Sequence, residues 1–383
     1  MKIMKRFLVI ILGCLQVSFS HAQWFSGEYT TEVQWDLKKH TNWLNHLRLD
    51  LAIPLWEGKG TLEAATLHVA RTREGIIDDW QGHSNIEEDN MLAALAVLGY
   101  MHEWKEAHLF VGVRNVNEDF FTSDVTSLFT NGSCGIFPTI AASYPIANFP
   151  LSGLTVYFDV GKDGWVLRNS LYNGVGYNGW KHHDNPFRLR PKTDGIFNIS
   201  QLEYTHPKGR YYAGVAIHTR QFAIDEEGEQ VPAEEASTKT TCAWWVYGEQ
   251  TLWTDGEHRW SEMAQYSENT SHDNGCYRYA EMGSIYEDDH NEWGVSGQYA
   301  HFHQGTERSL EEVVQQAFCP ATILPIHQQR QRRLPGTCHP PLLLILTLTP
   351  LTKGSGANHS WPLGPFPCVG PLPRADVRLP HYF

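Results

Sequence analysis

Between residues 29 and 303 the chain reads as a succession of long runs in which apolar and polar side chains alternate. In 29–38, Tyr29, Val33, Trp35 and Leu37 share one face and Glu32, Gln34, Asp36 and Lys38 the other, as the two-residue period of a strand requires. The next run sets Trp43, Leu47, Leu49, Leu51 and Ile53 against His46, Arg48 and Asp50, and Pro54 ends it. Further candidate strands are 60–71, 91–101, 107–116, 154–160, 165–173, 196–206, 210–222, 241–253, 259–267, 276–286 and 292–303. With one more strand in or just after an irregular stretch described below, about fourteen are legible. Their length is the constraint. Soluble sheets use strands of about five or six residues, whereas a strand that crosses a bilayer at a tilt needs about nine to eleven. The fold class expected is therefore all-β, a transmembrane antiparallel β-barrel.

The two faces of the runs say which way they would point. Arg114, Arg168, Ser170, Tyr172, Gly214, His218, Arg220, Glu292 and Gln298 lie on polar faces. An Arg against lipid costs roughly 2–4 kcal/mol at the midplane, so this face is expected to line a wet lumen. Leu109, Val111, Val113, Leu154, Val156, Phe158, Val215, Ile217, Trp293 and Val295 form the opposite, lipid-facing set, with Trp and Tyr frequent at strand ends as interfacial girdles require. A short turn such as Lys208-Gly209 alternates with long polar connections such as 75–90, 181–195 and 225–239, the asymmetry of barrels with tight periplasmic turns and long outer loops. After the N-terminal segment no apolar stretch approaches the ~20 residues of a membrane helix, so any span must be β.

One stretch breaks the rhythm. Residues 117–150, NEDFFTSDVTSLFTNGSCGIFPTIAASYPIANFP, are too long for a hairpin turn and too rich in Phe, Gly, Ser and Pro for a regular strand or helix. An irregular segment of about thirty residues in a β-rich chain is either disordered or functional. Phe120, Phe121, Phe129, Phe137 and Phe149 argue against disorder, because they allow the segment to pack. It is expected to fold back into the lumen as a constriction loop.

The ends of the chain read differently from its middle. Lys2, Lys5 and Arg6 precede an apolar run, and Ser20-His21-Ala22 fits a cleavage site before Gln23, so 1–22 is expected to be a secretory signal peptide. The alternative is a lipoprotein signal at Cys14. Residues 23–318, the expected barrel, hold 21 basic and 42 acidic residues, a net of −21. From Cys319 to the end lie twelve of the twenty Pro, three of the seven Cys, one acidic residue (Asp376) and six basic ones. The stretch 319–383 is expected to be an aberrant Pro-rich tail, either disordered or the product of a reading-frame shift between about Leu310 and Cys319. Cys134, Cys242 and Cys276 are an odd number at no metal-like spacing, and no connectivity follows from them.

Taken together, the signal segment, the strand lengths and the sequence NEDFFTSDVTSLFTNGSCGIFPTIAASYP, followed by LTVYFDV and RNSLYNGVGYNGW, resemble the OprB-type carbohydrate-selective porins of Gram-negative outer membranes. The resemblance in organisation runs over 27–308, and its specific part is 117–180. It implies a barrel of sixteen strands through which sugars diffuse passively, narrowed by an infolded loop. The chain departs from the family pattern after Leu310, where the last two strands belong.

Sugar selection in a pore needs planar apolar surfaces for pyranose faces and charged or amide groups for hydroxyls, each contact weak enough for release. Phe120 and Phe121 are candidates for the first role; Arg114, Asn117, Glu118, Asp119, Arg168 and Asn173 for the second. The plainer reading of the two Phe is that they pin the loop to the wall, and of the two Arg that they are structural ion pairs. His301 and His303 share a strand face without a third ligand, and the cluster Glu287, Asp288, Asp289 and His290 reads as a solvated turn, so no metal or cofactor is expected. No Gly-x-Ser-x-Gly, His-Glu-x-x-His or phosphate-binding Gly loop is present, and the chain is not expected to be an enzyme. Expected partners are small sugars, outer-membrane lipid and lipopolysaccharide, with a monomer favoured over a trimer; the acidic balance gives no support to nucleic acid. The alternative is a secreted carbohydrate-binding β-sandwich, a lectin or glycoside hydrolase. A third reading is a structural barrel with a plugged lumen.

Overall fold

The computed structural model describes residues 24–35, 39–73, 84–123, 125–126, 129, 131–225, 230–288 and 292–302, with the strand backbones Glu312–Cys319, Leu324–Gln329 and Leu344–Thr347. The expected signal segment 1–22, Asp36, Leu37 and Lys38, most of 75–90, Asp289, His290, His303, the side chain of Glu292 and the region around Leu310 lie outside the described residues.

Thirteen runs expected from alternation appear as strands close to their expected bounds. They are β1 (Trp24–Trp35), β2 (Thr41–Leu55), β3 (Gly60–Arg71), β4 (Met91–Glu103), β5 (Ala107–Arg114), β6 (Gly153–Lys162), β7 (Trp165–Asn173), β8 (Ile196–His206), β9 (Gly209–His218), β10 (Thr241–Thr254), β11 (Arg259–Asn269), β12 (Cys276–Glu287) and β13 (Glu292–Phe302). Three more follow: β14 (Glu312–Cys319), β15 (Leu324–Gln329) and β16 (Leu344–Thr347). All belong to one 16-stranded sheet in which β1 to β15 follow one another in chain order and β16 lies beside β1. The further strand expected in or just after the irregular stretch is absent among the described residues of 117–150, the three strands beyond residue 310 bring the thirteen to sixteen, and β15 and β16 fall inside the stretch 319–383. Among the described residues no ladder joins β15 to β16.

The sheet curls into a barrel rather than stacking on a second sheet, so the β-sandwich alternative is not this fold. Residues of the single stretch 115–152 touch the inner faces of β2 and of β13, near the two ends of the sheet. A sheet whose distant strands reach one loop has closed round it. Connections alternate as expected: the links after β2, β4, β6, β8, β10 and β12 are tight turns, and those after β3, β5, β7 and β9 are long.

Alternation sorts the side chains as the sequence pattern requires. Val111, Val156, Phe158, Leu167, Leu171, Ile217 and Val295 are exposed on the outside. Arg48, Arg114, Ser170, His218 and Gln298 are turned inward and buried. Trp56, Trp104, Trp165, Trp253, Trp260, Tyr286 and Trp293 are exposed at the short-turn end, and Trp35, Trp43, Trp180 and Trp244 towards the long-loop end. These are the two belts of amphipathic rings that a bilayer places at its interfaces. No helix among the described residues is long and apolar enough to cross a membrane.

The wall has one irregularity. β5 is short, and it pairs with β4 only over Leu98 to Glu103, because after Arg114 the chain leaves the wall for the lumen. Val113, expected to face lipid, is instead fully buried at this departure point. The upper half of β4 therefore has carbonyls without a strand partner on that side. Ser152 Oγ donates to the Leu95 carbonyl, and Trp180 Nε1 to the Ala93 carbonyl at 2.9 Å. In lipid an unpaired backbone group costs several kcal/mol, so these two side chains do the work of the missing strand.

Candidate pore constriction

The infolded stretch begins and ends at a neck. Val116 N donates to the Ala147 carbonyl at 2.7 Å, and Phe149 N to Asn117 Oδ1 at 3.2 Å. Asn115 Oδ1 accepts from Glu118 N at 3.2 Å, capping a single 3-10 turn, Val116–Glu118, that aims the next residues across the lumen. Glu118 then meets Arg48 of β2 in a two-pronged pair at 2.6 and 3.0 Å, and Asp119 meets Arg114 at 3.0 Å. Two-pronged guanidinium–carboxylate contacts fix orientation as well as distance.

Beyond the acidic start the loop is nailed to the far wall. Phe120 meets Tyr157 edge-on, with centroids 6.2 Å apart, and Phe121 packs between Phe137 at 5.2 Å and Trp245 at 5.0 Å. Phe121 sits at φ 61°, the left-handed region disfavoured for a residue with a Cβ, and its ring contacts hold it there. Arg210 of β9 donates to the Thr122 carbonyl, and Ser123 Oγ lies 2.6 Å from Tyr247 OH. Further along, Tyr279 OH donates to the Ser133 carbonyl at 3.2 Å and Gln298 Nε2 to Cys134 Sγ at 2.8 Å. A single helical turn, α1 (Pro138–Ala141), lies against β11 and β12: Thr139 Oγ1 is 2.7 Å from Ser267 Oγ, and Asn269 Nδ2 donates to the Thr139 carbonyl and to Tyr144 OH, each at 3.0 Å. Gly275 lets this turn approach, since a Cβ there would stand 2.1 Å from the Ala142 carbonyl oxygen.

The candidate throat is the place where loop and wall meet, and charged side chains gather there. Arg114 Nη2 reaches Glu63 of β3 at 3.4 Å, and its guanidinium lies 4.4 Å over the Phe110 ring. Arg48 Nε donates to Asp50 at 2.7 Å. On the other side Arg168 of β7 pairs with Glu203 of β8, whose same oxygen accepts from Arg210 at 2.8 Å. Tyr157 OH donates to Asp159 at 2.6 Å, and His108 Nδ1 lies 2.7 Å from the other oxygen of that carboxylate.

Of the residues singled out from sequence, Arg114, Glu118, Asp119 and Arg168 come together in this throat. Phe120 and Phe121 do not offer a ring face to it: both are essentially fully buried, and their role is the plainer one of anchors. Asn117 closes the neck. Asn173 lies at the long-loop end of β7, where its amide donates to the Asp194 carboxylate at 2.9 Å and its carbonyl accepts from Arg190 N at 2.9 Å, so it shapes an outer loop rather than the throat. Arg48, Glu63, Asp159, Glu203 and Arg210 were missing from the candidate set. Their inward parity was readable in the alternating pattern; the depth at which each stands was not.

No family model matches the sequence, and no curated protein sequence matches it. Solved structures do. OprB of Pseudomonas putida in its high-pH structure is similar with a TM-score of 0.62 at 12% identity, over 77% of this chain and 84% of that one. The low-pH structure of the same protein gives 0.50 at 12% identity, over 85% and 90%. OmpT of Vibrio cholerae, folded in vitro and in its trimer form, is at 0.47 with 10% identity, over 78% and 83%. The chain has an OprB-like porin fold.

Proposed function

We propose that the protein is an outer-membrane porin through which small neutral sugars diffuse passively, with 117–150 as its constriction. The observation that carries the reading is the throat itself. Its arginines and carboxylates stand in opposed pairs, Arg48 with Glu118, Arg114 with Asp119, and Arg168 and Arg210 with Glu203. These pairs are largely buried, so the water-facing acceptors left to a polyol are Asp50 and Glu63, 35% and 27% exposed, and among the described residues of the throat no unopposed cation stands to trap an anion. The lipid-facing side supports a membrane location, with long loops outward and tight turns towards the periplasm, reached through a cleaved signal at 1–22. The barrel is assigned to 23–318 with the short strands β15 and β16 added to its sheet, and the change of composition at 319 is read as a shifted reading frame.

The single barrel is proposed as the working unit. The weak place in its wall, beside β4, is covered by the chain's own Ser152 and Trp180, and the loop that narrows the lumen comes from the same copy. Liposome swelling with purified, refolded protein tests the function: faster entry of glucose and a disaccharide than in protein-free liposomes is expected. No swelling, with no single-channel conductance, would favour the plugged structural barrel. Mass measurement in detergent is expected to give one copy, and a stable trimer would refute the single-barrel unit.

A further inference from the structure

We propose, resting on the pore reading above, that the throat passes cationic solutes ahead of anionic ones of the same size. The inner face of β1 to β3 carries Glu28, Asp50 and Glu63. Register places them on a diagonal: Glu28 lies opposite Arg48, Asp50 opposite Ser26 and Ala65, and Glu63 opposite Ala52. Each carboxylate is thus one diagonal step from the next, about 7–8 Å.

The basic residues nearby are shared: Arg48 reaches Asp50 at 2.7 Å as well as Glu118, and Arg114 reaches Glu63 at 3.4 Å as well as Asp119. The Arg48 and Arg114 side chains are only 8% and 9% exposed, with their guanidinium groups turned onto Glu118 and Asp119 of the loop. Asp50 and Glu63, by contrast, are 35% and 27% exposed, and Glu28 is exposed too. Arg168 and Arg210 face Glu203, and Arg168 lies opposite Asp159 in register, so that side comes close to balance. Arg48 and Arg114 against Glu118, Asp119, Asp50, Glu63 and Glu28 leave an excess of negative charge, and its water-facing part is the β1–β3 diagonal. A wet channel in a low-dielectric wall focuses the field of such a row, raising local cation concentration and lowering that of anions. Salt screens it over about 10 Å at 0.1 M and about 3 Å at 1 M. Amino sugars are the solute class favoured, sugar acids the class disfavoured.

The full-length protein in a planar bilayer under a KCl gradient tests this. A reversal potential giving a potassium preference of about threefold or more near 0.1 M, falling towards one near 1 M, is expected. Chloride preference, or none, overturns the proposal, and this measurement needs no variant. Glu28→Gln, Asp50→Asn and Glu63→Gln combined should bring the ratio close to one; a preference that survives their neutralisation in a conducting barrel overturns it as well. In liposome swelling, glucosamine should enter faster than glucuronate, and equal rates would count against the inference. A barrel that prefers potassium but admits no glucose supports this inference and refutes the sugar reading, so the two fail separately.

Discussion

Arg48 and Glu118 stand 70 positions apart and meet through two hydrogen bonds in a place largely closed to water. Removing one partner of such a pair strands the other charge and costs about 3–5 kcal/mol. Arg48→Ala should therefore loosen the start of the constriction, seen as a larger and noisier single-channel conductance than wild type. Glu118→Gln, which keeps the shape and some hydrogen bonding, should shift it less. An unchanged current in both would mean that this pair does not set the bore. Phe121 is the second residue to probe. Phe121→Ala removes a fully buried ring, a loss of about 3–5 kcal/mol in well-packed cores, and should open the loop to limited proteolysis while the barrel persists. The acidic-aromatic start of the loop was visible in the sequence, but not which partner each of its members would meet. Glu118 and Asp119 look outward from the loop only because Arg48 and Arg114 happen to be at the matching depth, and Phe121 is withdrawn because Trp245, more than a hundred residues later, fills the lumen beside it. Pairings over such distances leave no trace in local periodicity.

At the scale of elements, the vacancy beside the upper half of β4 makes a direct demand on Trp180. Trp180→Phe keeps an aromatic ring at the rim but deletes the N–H that reaches the Ala93 carbonyl. A hydrogen bond of this kind is worth about 1 kcal/mol in water and more where no solvent replaces it. The variant should unfold from lipid vesicles at lower urea concentration than wild type, by more than Trp165→Phe, whose ring lies in the other belt without such a bond in the described set. Outside the membrane, the loops after β7 and β9 are latched by Arg190 and Glu234 at 2.8 Å. The hydrogen bond from Arg190 holds the Glu234 carboxyl below its usual range. A depressed carboxylate stabilises the latch above its unfolded value of about 4.3 and gives way only as pH falls through the lower folded value. A side-chain NMR titration should place the midpoint of Glu234 below about 4.3, and Arg190→Gln should return it. Strand positions were legible because period-two alternation persists for whole crossings, as in the runs now seen as Thr41–Leu55 and Trp165–Asn173. The vacancy was not, since β5 alternates normally up to Arg114 and nothing in its residues says that its partner continues without it.

For the whole molecule, the loop stands in an unusual relation to the wall. The stretch 115–152 is bound to β2, β5, β9, β11, β12 and β13, strands that precede and follow it along most of the chain. A hoop cannot be finished first and filled afterwards when its filling is tied to staves spread over so much of its round. The segment acts as a former, a shape over which the ribbon is bent, and the circumference is set by what lies inside as much as by the number of strands. Replacing 118–147 by a short Gly-Ser bridge should accordingly lower the yield of heat-modifiable barrels during refolding, far more than trimming the loop after β7 does. If the shortened chain closes as readily as the intact one, the interior is furniture and not scaffold. Otherwise a single ingredient governs both how wide the passage is and whether there is a passage at all.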